Sequence, residues 1–201
     1  RLASILGLLC VIGSVALSFA QSQSGGGMSG RAEPAPVVVV DVKGAIGVGT
    51  VYLIDEAFAQ ARAARAGLIV LRLDTPGGLV TATRDIIQAI LASPVPVVVF
   101  IAPSGARAAS AGTYISYAAH LAAMAPGTHL GAATPVQIGA PPISPQPEKP
   151  KEGEGAGGGA MERKITNDAV AYLRSLAQMR GRNADWAEKA ICEAATLVAE
   201  E

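Results

Sequence analysis

The chain has 201 residues, 50% hydrophobic, 4% aromatic and 16% charged, which fits one compact domain with short appendages and excludes a disordered acidic or basic chain. Sixteen Lys and Arg balance sixteen Asp and Glu, and no basic stripe runs along the chain, so nucleic acid is not expected as a partner. Two cysteines at opposite ends, Cys10 and Cys192, exclude a disulfide framework.

Residues 2–20 carry no charge, follow Arg1 and close on Ser18-Phe19-Ala20, a small-x-small ending. The segment 1–20 therefore reads as an export signal, with an uncleaved membrane anchor as the alternative. Both readings put the remainder outside the cytoplasm, on the extracytoplasmic (periplasmic) side of a membrane. Residues 21–36, rich in Gly and Ser and then in Pro, read as a flexible linker. A folded domain is expected over 37–201, truncated at its C-terminal end because the helix-like run Ala184 to Glu201 is cut short.

Within that domain Val37 to Val42 is a β-branched run that reads as a strand buried on both faces of a parallel sheet. Thr50 to Ala66 takes helical spacing and stops at Gly67. Leu68 to Leu73 is the next strand, Leu79 to Ala92 the next helix, and Pro94 and Pro96 lead into the strand Val97 to Ile101. This alternation predicts an α/β layered fold of right-handed βαβ units. A further helix is expected around Thr113 to Ala122. Pro135 to Ala160 lacks an apolar period and reads as a mobile flap, after which Lys164 to Met179 and Asn183 to Glu201 read as helices.

Ligands of such sheets bind beyond the carboxyl ends of the strands, which selects the loops Asp74 to Gly78 and Ala102 to Gly112. Gly77-Gly78 leaves backbone N–H groups uncovered, as an oxyanion hole requires, although a plain Pro-Gly turn also explains the pair. In Ala108-Ala109-Ser110-Ala111-Gly112 the serine stands at a helix start, where the Ala111 N–H can face a developing negative charge. An N-cap serine accounts for the residue but not for its small neighbours. Ser104 fits a turn and Ser116 a mid-helix position.

A serine needs a base. His120, ten positions beyond Ser110 on the expected helix, is out of reach, and His129 reads as a loop histidine. Among the lysines, Lys43 belongs to the end of the first strand, and Lys149 and Lys151 to the polar flap. Lys164, 54 positions after Ser110, opens the helix beyond the flap. Its plain alternative is a surface pairing with Asp168. No His-Glu-x-x-His helix, phosphate-binding loop or Cys-x-x-Cys pair is present, so no metal and no cofactor are expected.

Leu73-Asp74-Thr75-Pro76-Gly77-Gly78-Leu79, the stretch Ser104 to Ile115, Met124-Ala125-Pro126-Gly127-Thr128 and Gly131-Ala132-Ala133-Thr134-Pro135-Val136 together resemble the NfeD-type membrane-bound serine proteases of the ClpP/crotonase superfamily. The resemblance runs from about Val37 to Glu201. It implies a ClpP/crotonase-like layered fold and a membrane-associated endopeptidase with a Ser110/Lys164 dyad, oxyanion donors at Gly77, Gly78 and Ala111, and an acyl-enzyme intermediate. It also implies association into homo-oligomers and hydrophobic peptide or membrane-protein substrates, a stomatin-like protein among them. A crotonase-like acyl-CoA enzyme and a noncatalytic peptide-binding scaffold are the alternatives.

Overall fold

The computed structural model describes residues 34–136 and 157–201. Val37–Lys43 (β1) leads into the helix Val48–Ala63 (α1), whose buried residues Ile54, Ala57, Phe58 and Ala61 recur at three- and four-residue spacing. Leu68–Asp74 (β2) pairs with β1 in parallel, from Val37 opposite Leu68 to Lys43 opposite Asp74. Val80–Ala92 (α2) then crosses to Val97–Ile101 (β3), again parallel to β2. Ile86, Ile87 and Ile90 of α2 lie in one core cluster with Ile69, Leu71 and Leu73 of β2 and Val97, Val99 and Ile101 of β3. Each such side chain contributes about 1.5–3 kcal/mol on burial.

The chain continues through Arg107–Ala109 (β4), the helix Ala111–Ala118 (α3), Leu121–Met124 (β5) and His129–Gly131 (β6). Gly157–Met179 (α4), Ala184–Cys192 (α5) and Thr196–Val198 (β7) complete it. The first sheet has the order β1-β2-β3-β5, all parallel, and the second the order β4-β6-β7. Single bridges join Ile46 to Gly78 and Thr75 to Ala108, so the loop after β2 is stitched to the start of α1 on one side and to the second sheet on the other.

The α/β layered architecture agrees with the sequence reading, with four local corrections. β1 is an edge strand and not a doubly buried one: Val37 and Val39 remain 53% and 57% exposed while Val40 and Val42 are buried. The helix expected to reach Ala122 stops at Ala118, because Val98 to Ile101 offers an open strand edge that Leu121 to Met124 pairs with. The last stretch is helical only to Cys192 and ends as β7, paired with β6. Residues 157–160, read as flap, begin α4.

The leader 1–20, nearly all of the linker 21–36 and residues 137–156 of the flap lie outside the described residues. Among those described, no helix is long and apolar enough to cross a membrane.

Candidate active site

Between β4 and α3 the chain reverses on one residue. Ser110 has φ 51° and ψ −112°, a conformation that L-residues rarely adopt and that costs about 1–3 kcal/mol. Its neighbours hold it there. The Ser110 N–H donates to Gly131 O at 3.0 Å, and the Thr113 N–H donates to Ser110 O at 2.9 Å. Fully buried Thr113 accepts the Gly131 N–H at 3.0 Å, and its Oγ1 lies 3.0 Å from Ala108 O and 2.9 Å from Gly131 O. A sharp strand-to-helix turn of this kind projects a serine hydroxyl clear of its own backbone. The small neighbours are required by packing: a Cβ on Gly112 would stand 2.8 Å from Thr75 Cγ2 and 3.0 Å from Ala108 Cβ.

The rival serines are elsewhere. Ser104 is exposed beside the cis Ala102–Pro103 bond, and Ser116 is buried with its hydroxyl donating to Gly112 O at 2.8 Å.

Gly77 abuts Ser110, and a Cβ there would lie 2.8 Å from Ser110 Cβ. Its own N–H, however, donates to buried Thr75 Oγ1 at 3.0 Å. The expectation that Gly77, Gly78 and Ala111 all present open donors is therefore corrected for Gly77, whose contribution is room. The N–H groups of Gly78 and Ala111 have no acceptor among the described residues. Gly78 is fixed by close approach, since a Cβ on it would stand 2.1 Å from Ile46 O. Gly78→Ala is accordingly expected to destabilise by about 3 kcal/mol through overpacking, lowering Tm by about 6–12 °C. Gly49→Ala, in open space on α1, is expected to stabilise by about 0.5 kcal/mol in the same thermal melts.

Ser110 opens on a cleft continuous with solvent, whose walls come from the start of α2 (Val80, Thr83, Arg84), from α3 (Ala111, Tyr114) and from α4 (Ile165, Asp168, Ala169, Tyr172). Apolar groups dominate these walls. The charged ones neutralise each other: Arg84 Nη2 meets Asp168 Oδ2 at 2.5 Å, and the Arg84 guanidinium lies 4.4 Å over the Tyr172 ring. Tyr172 in turn stacks on Tyr114 at 6.2 Å. Burial pushes both phenols above their ordinary range, so neither supplies a base near neutral pH. The sequence reading missed Arg84, Tyr114 and Tyr172 as cleft residues and considered Asp168 only as a partner of Lys164, because the Arg84–Asp168 meeting joins segments 84 positions apart.

Lys164 sits on α4 one residue before Ile165, is exposed, and does not form part of the cleft wall. Its alternative role is not observed, since Asp168 pairs with Arg84. Ile165, Asp168, Ala169 and Tyr172 form the cleft-facing stripe of α4, and Lys164 stands one turn before Asp168 on nearly the same azimuth. His120 lies beyond the end of α3, and its Nδ1 accepts the Val97 N–H at 3.1 Å. His129 is in β6. Lys43 lines a separate hollow with Asp41, Arg72 and Asp74, while Lys149 and Lys151 lie outside the described residues. Among the described residues no cluster of three or more His, Cys, Asp or Glu could hold a metal ion.

Residues 36–141 match the family described as NfeD1b, N-terminal domain. The chain belongs to this NfeD family. It is 41% identical over 167 residues to the membrane-bound protease PH1510 of Pyrococcus horikoshii, covering 82% of this chain and 34% of that protein. It is 35% identical over 106 residues to the membrane protein NfeD1b of Bacillus subtilis, covering 53% of this chain and 24% of that one. This NfeD chain thus spans about a third or less of the curated relatives it matches.

Among solved structures it is similar to a serine-to-alanine mutant of the 1510-N membrane-bound stomatin-specific protease, with TM-score 0.72 and 40% identity over 83% of this chain and 74% of that one. A lysine-to-alanine mutant of the same protease in complex with a substrate peptide gives TM-score 0.71 and 39% identity over 84% and 71%. The fold is therefore that of the ClpP-like NfeD proteases. In that protease the mutated serine and lysine are 41 positions apart. Here Lys151 is at that spacing from Ser110, and Lys164 is 54 positions away.

Proposed function

We propose that this NfeD domain is a serine endopeptidase in which Ser110 is the nucleophile, Lys164 its base, and the N–H groups of Gly78 and Ala111 the oxyanion donors. The observation that carries the reading is the Ser110 turn itself, a strained residue held at the mouth of an apolar cleft beside two open backbone donors. Strain of this size persists only where surrounding structure over-determines it, and it concentrates at functional sites.

In this reading Ser110 Oγ attacks the carbonyl carbon of a peptide lying in the cleft. The proton passes to the amine of Lys164, which has to be uncharged to receive it. Charge developing on the carbonyl oxygen is met by the Gly78 and Ala111 N–H groups, and loss of one such donor typically costs about 10²–10³ in kcat. The lysine returns its proton to the leaving amine, and water then releases the acyl group from Ser110.

The apolar walls favour hydrophobic peptide segments. Likeness to a stomatin-specific protease and to membrane proteins supports a stomatin-like membrane protein as substrate and a domain held at a membrane. The extracytoplasmic side follows from the reading of residues 1–20 as an export signal or anchor, and assembly into a homo-oligomer from the resemblance to ClpP-like domains. Labelling with a serine-directed fluorophosphonate over a pH series, with the modified residue mapped, tests the chemistry. Modification is expected at Ser110 alone and to rise as the base loses its proton; modification at another serine overturns the assignment.

A further inference from the structure

The starts of α1 and α2 depart from what helix starts ordinarily carry. Acidic and side-chain-capping residues are favoured there. Yet the N-cap residues are Gly47 and Leu79, whose own side chains cap nothing, α1 has only Thr50 Oγ1 accepting the Gly47 N–H at 3.3 Å, and neither helix has an acidic residue in its first turn. Apolar groups stand in their place, and they face solvent. Val48 is 77% exposed, Tyr52 74%, Leu79 41% and Val80 63%. Residues 44–54 and 75–83 contain no charged side chain at all.

These four residues form one surface. The Ile46 N–H donates to Gly77 O and the Leu79 N–H to Ile46 O, each at 2.9 Å, which fastens the two helix starts side by side. Val48 and Tyr52, one turn apart, share a face of α1. Val80 belongs both to this surface and to the wall of the Ser110 cleft, so it joins the two. Contiguous exposed apolar area of this kind marks a binding surface, whereas isolated exposed residues do not.

We infer that the surface made by Val48, Tyr52, Leu79 and Val80 is an extension of the substrate groove that seats an apolar flank of the polypeptide to be cleaved. The inference rests on the peptidase reading of the cleft and names a determinant of its substrate class. The occupant is a polypeptide in extended form because the surface continues the cleft wall on the side of Gly78, whose N–H is open to a passing backbone. From Ser110 past Gly77, Gly78 and Ile46 to Val48 is a span of about four or five extended residues, at ~3.3 Å each. Substrates ending within two or three residues of the scissile bond do not reach it.

The test measures binding of fluorescent peptides to the full chain carrying Ser110→Ala. One peptide is a short apolar core, another the same core with an apolar flank of six residues, and a third the same length with a Ser- and Asp-rich flank. The apolar flank is expected to tighten binding at least about tenfold, and the double substitution Val48→Ser/Tyr52→Ser to remove that gain. Equal affinity for the three peptides, or a gain that survives the double substitution, overturns the inference. A variant that loses self-association or liposome binding while its peptide affinities stay unchanged also overturns it, and gives the surface to a second copy of the chain or to a bilayer. Hydrolysis by the unsubstituted chain is scored separately, so absence of cleavage defeats the peptidase reading and leaves the flank measurement to stand or fall by itself.

Discussion

Ser110→Ala is expected to lower peptide hydrolysis by about four to six orders of magnitude while leaving peptide affinity nearly unchanged. The hydroxyl is the only group removed. The cleft walls, the Gly78 and Ala111 donors and the Thr113 bonds to Gly131 all remain. Steady-state cleavage of an apolar peptide, read beside its binding constant, decides the matter. Binding without hydrolysis to lose, in the unsubstituted chain, would make the domain a peptide-holding scaffold. A companion substitution isolates the strain at the turn. Ser110→Gly removes the side chain whose Cβ disfavours φ 51°, so it is expected to stabilise by a net of about 1 kcal/mol, although glycine also gains freedom in the unfolded chain. In a domain of this size that is a Tm rise of about 2–4 °C, with activity abolished.

Lys164→Ala is expected to reduce kcat by about 10²–10⁴-fold and to flatten the rise of fluorophosphonate labelling with pH, whereas Lys151→Ala leaves both within about threefold. Two considerations compete. The 41-position spacing of the mutated pair in the 1510-N protease favours Lys151 on count alone. Position in the fold favours Lys164, which stands one turn before Asp168 of the cleft wall although it is not itself part of that wall. Spacing is a poor guide across a Pro- and Gly-rich segment, because insertion there lengthens the connection without moving the helix behind it. A loss with Lys151→Ala and none with Lys164→Ala reassigns the base.

The parts of the fold legible in the sequence are those where one residue type carried the signal. Val97-Val98-Val99 framed by Pro96, and the isoleucines of α2, allow few other structures. Leu121 to Met124 was not legible: two alanines and a methionine suit a helix, and only the open edge of β3 makes them a strand. β4, β6 and β7 are three residues each, too short to show a period. At the candidate site, the place of Ser110 at a helix start was legible from its small neighbours. The occupation of the Gly77 N–H was not, because Thr75 reads equally well as a loop residue until its hydroxyl is seen 3.0 Å away. The Arg84, Asp168 and Tyr172 group depends on α2 and α4 meeting, which local pattern does not encode.

Gly131, whose carbonyl anchors the Ser110 turn, is itself seated against the segment before β7: a Cβ on it would stand 2.2 Å from Ala195 O, and the Ala132 N–H donates to that same oxygen at 2.9 Å. The residues that brace the turn from behind are thus made some eighty-five positions after the serine they support. During synthesis on a ribosome Ser110 emerges first and its buttress well afterwards. The turn therefore leaves the ribosome without its support, and φ 51° at Ser110 is held only once Thr196 to Val198 has paired with β6.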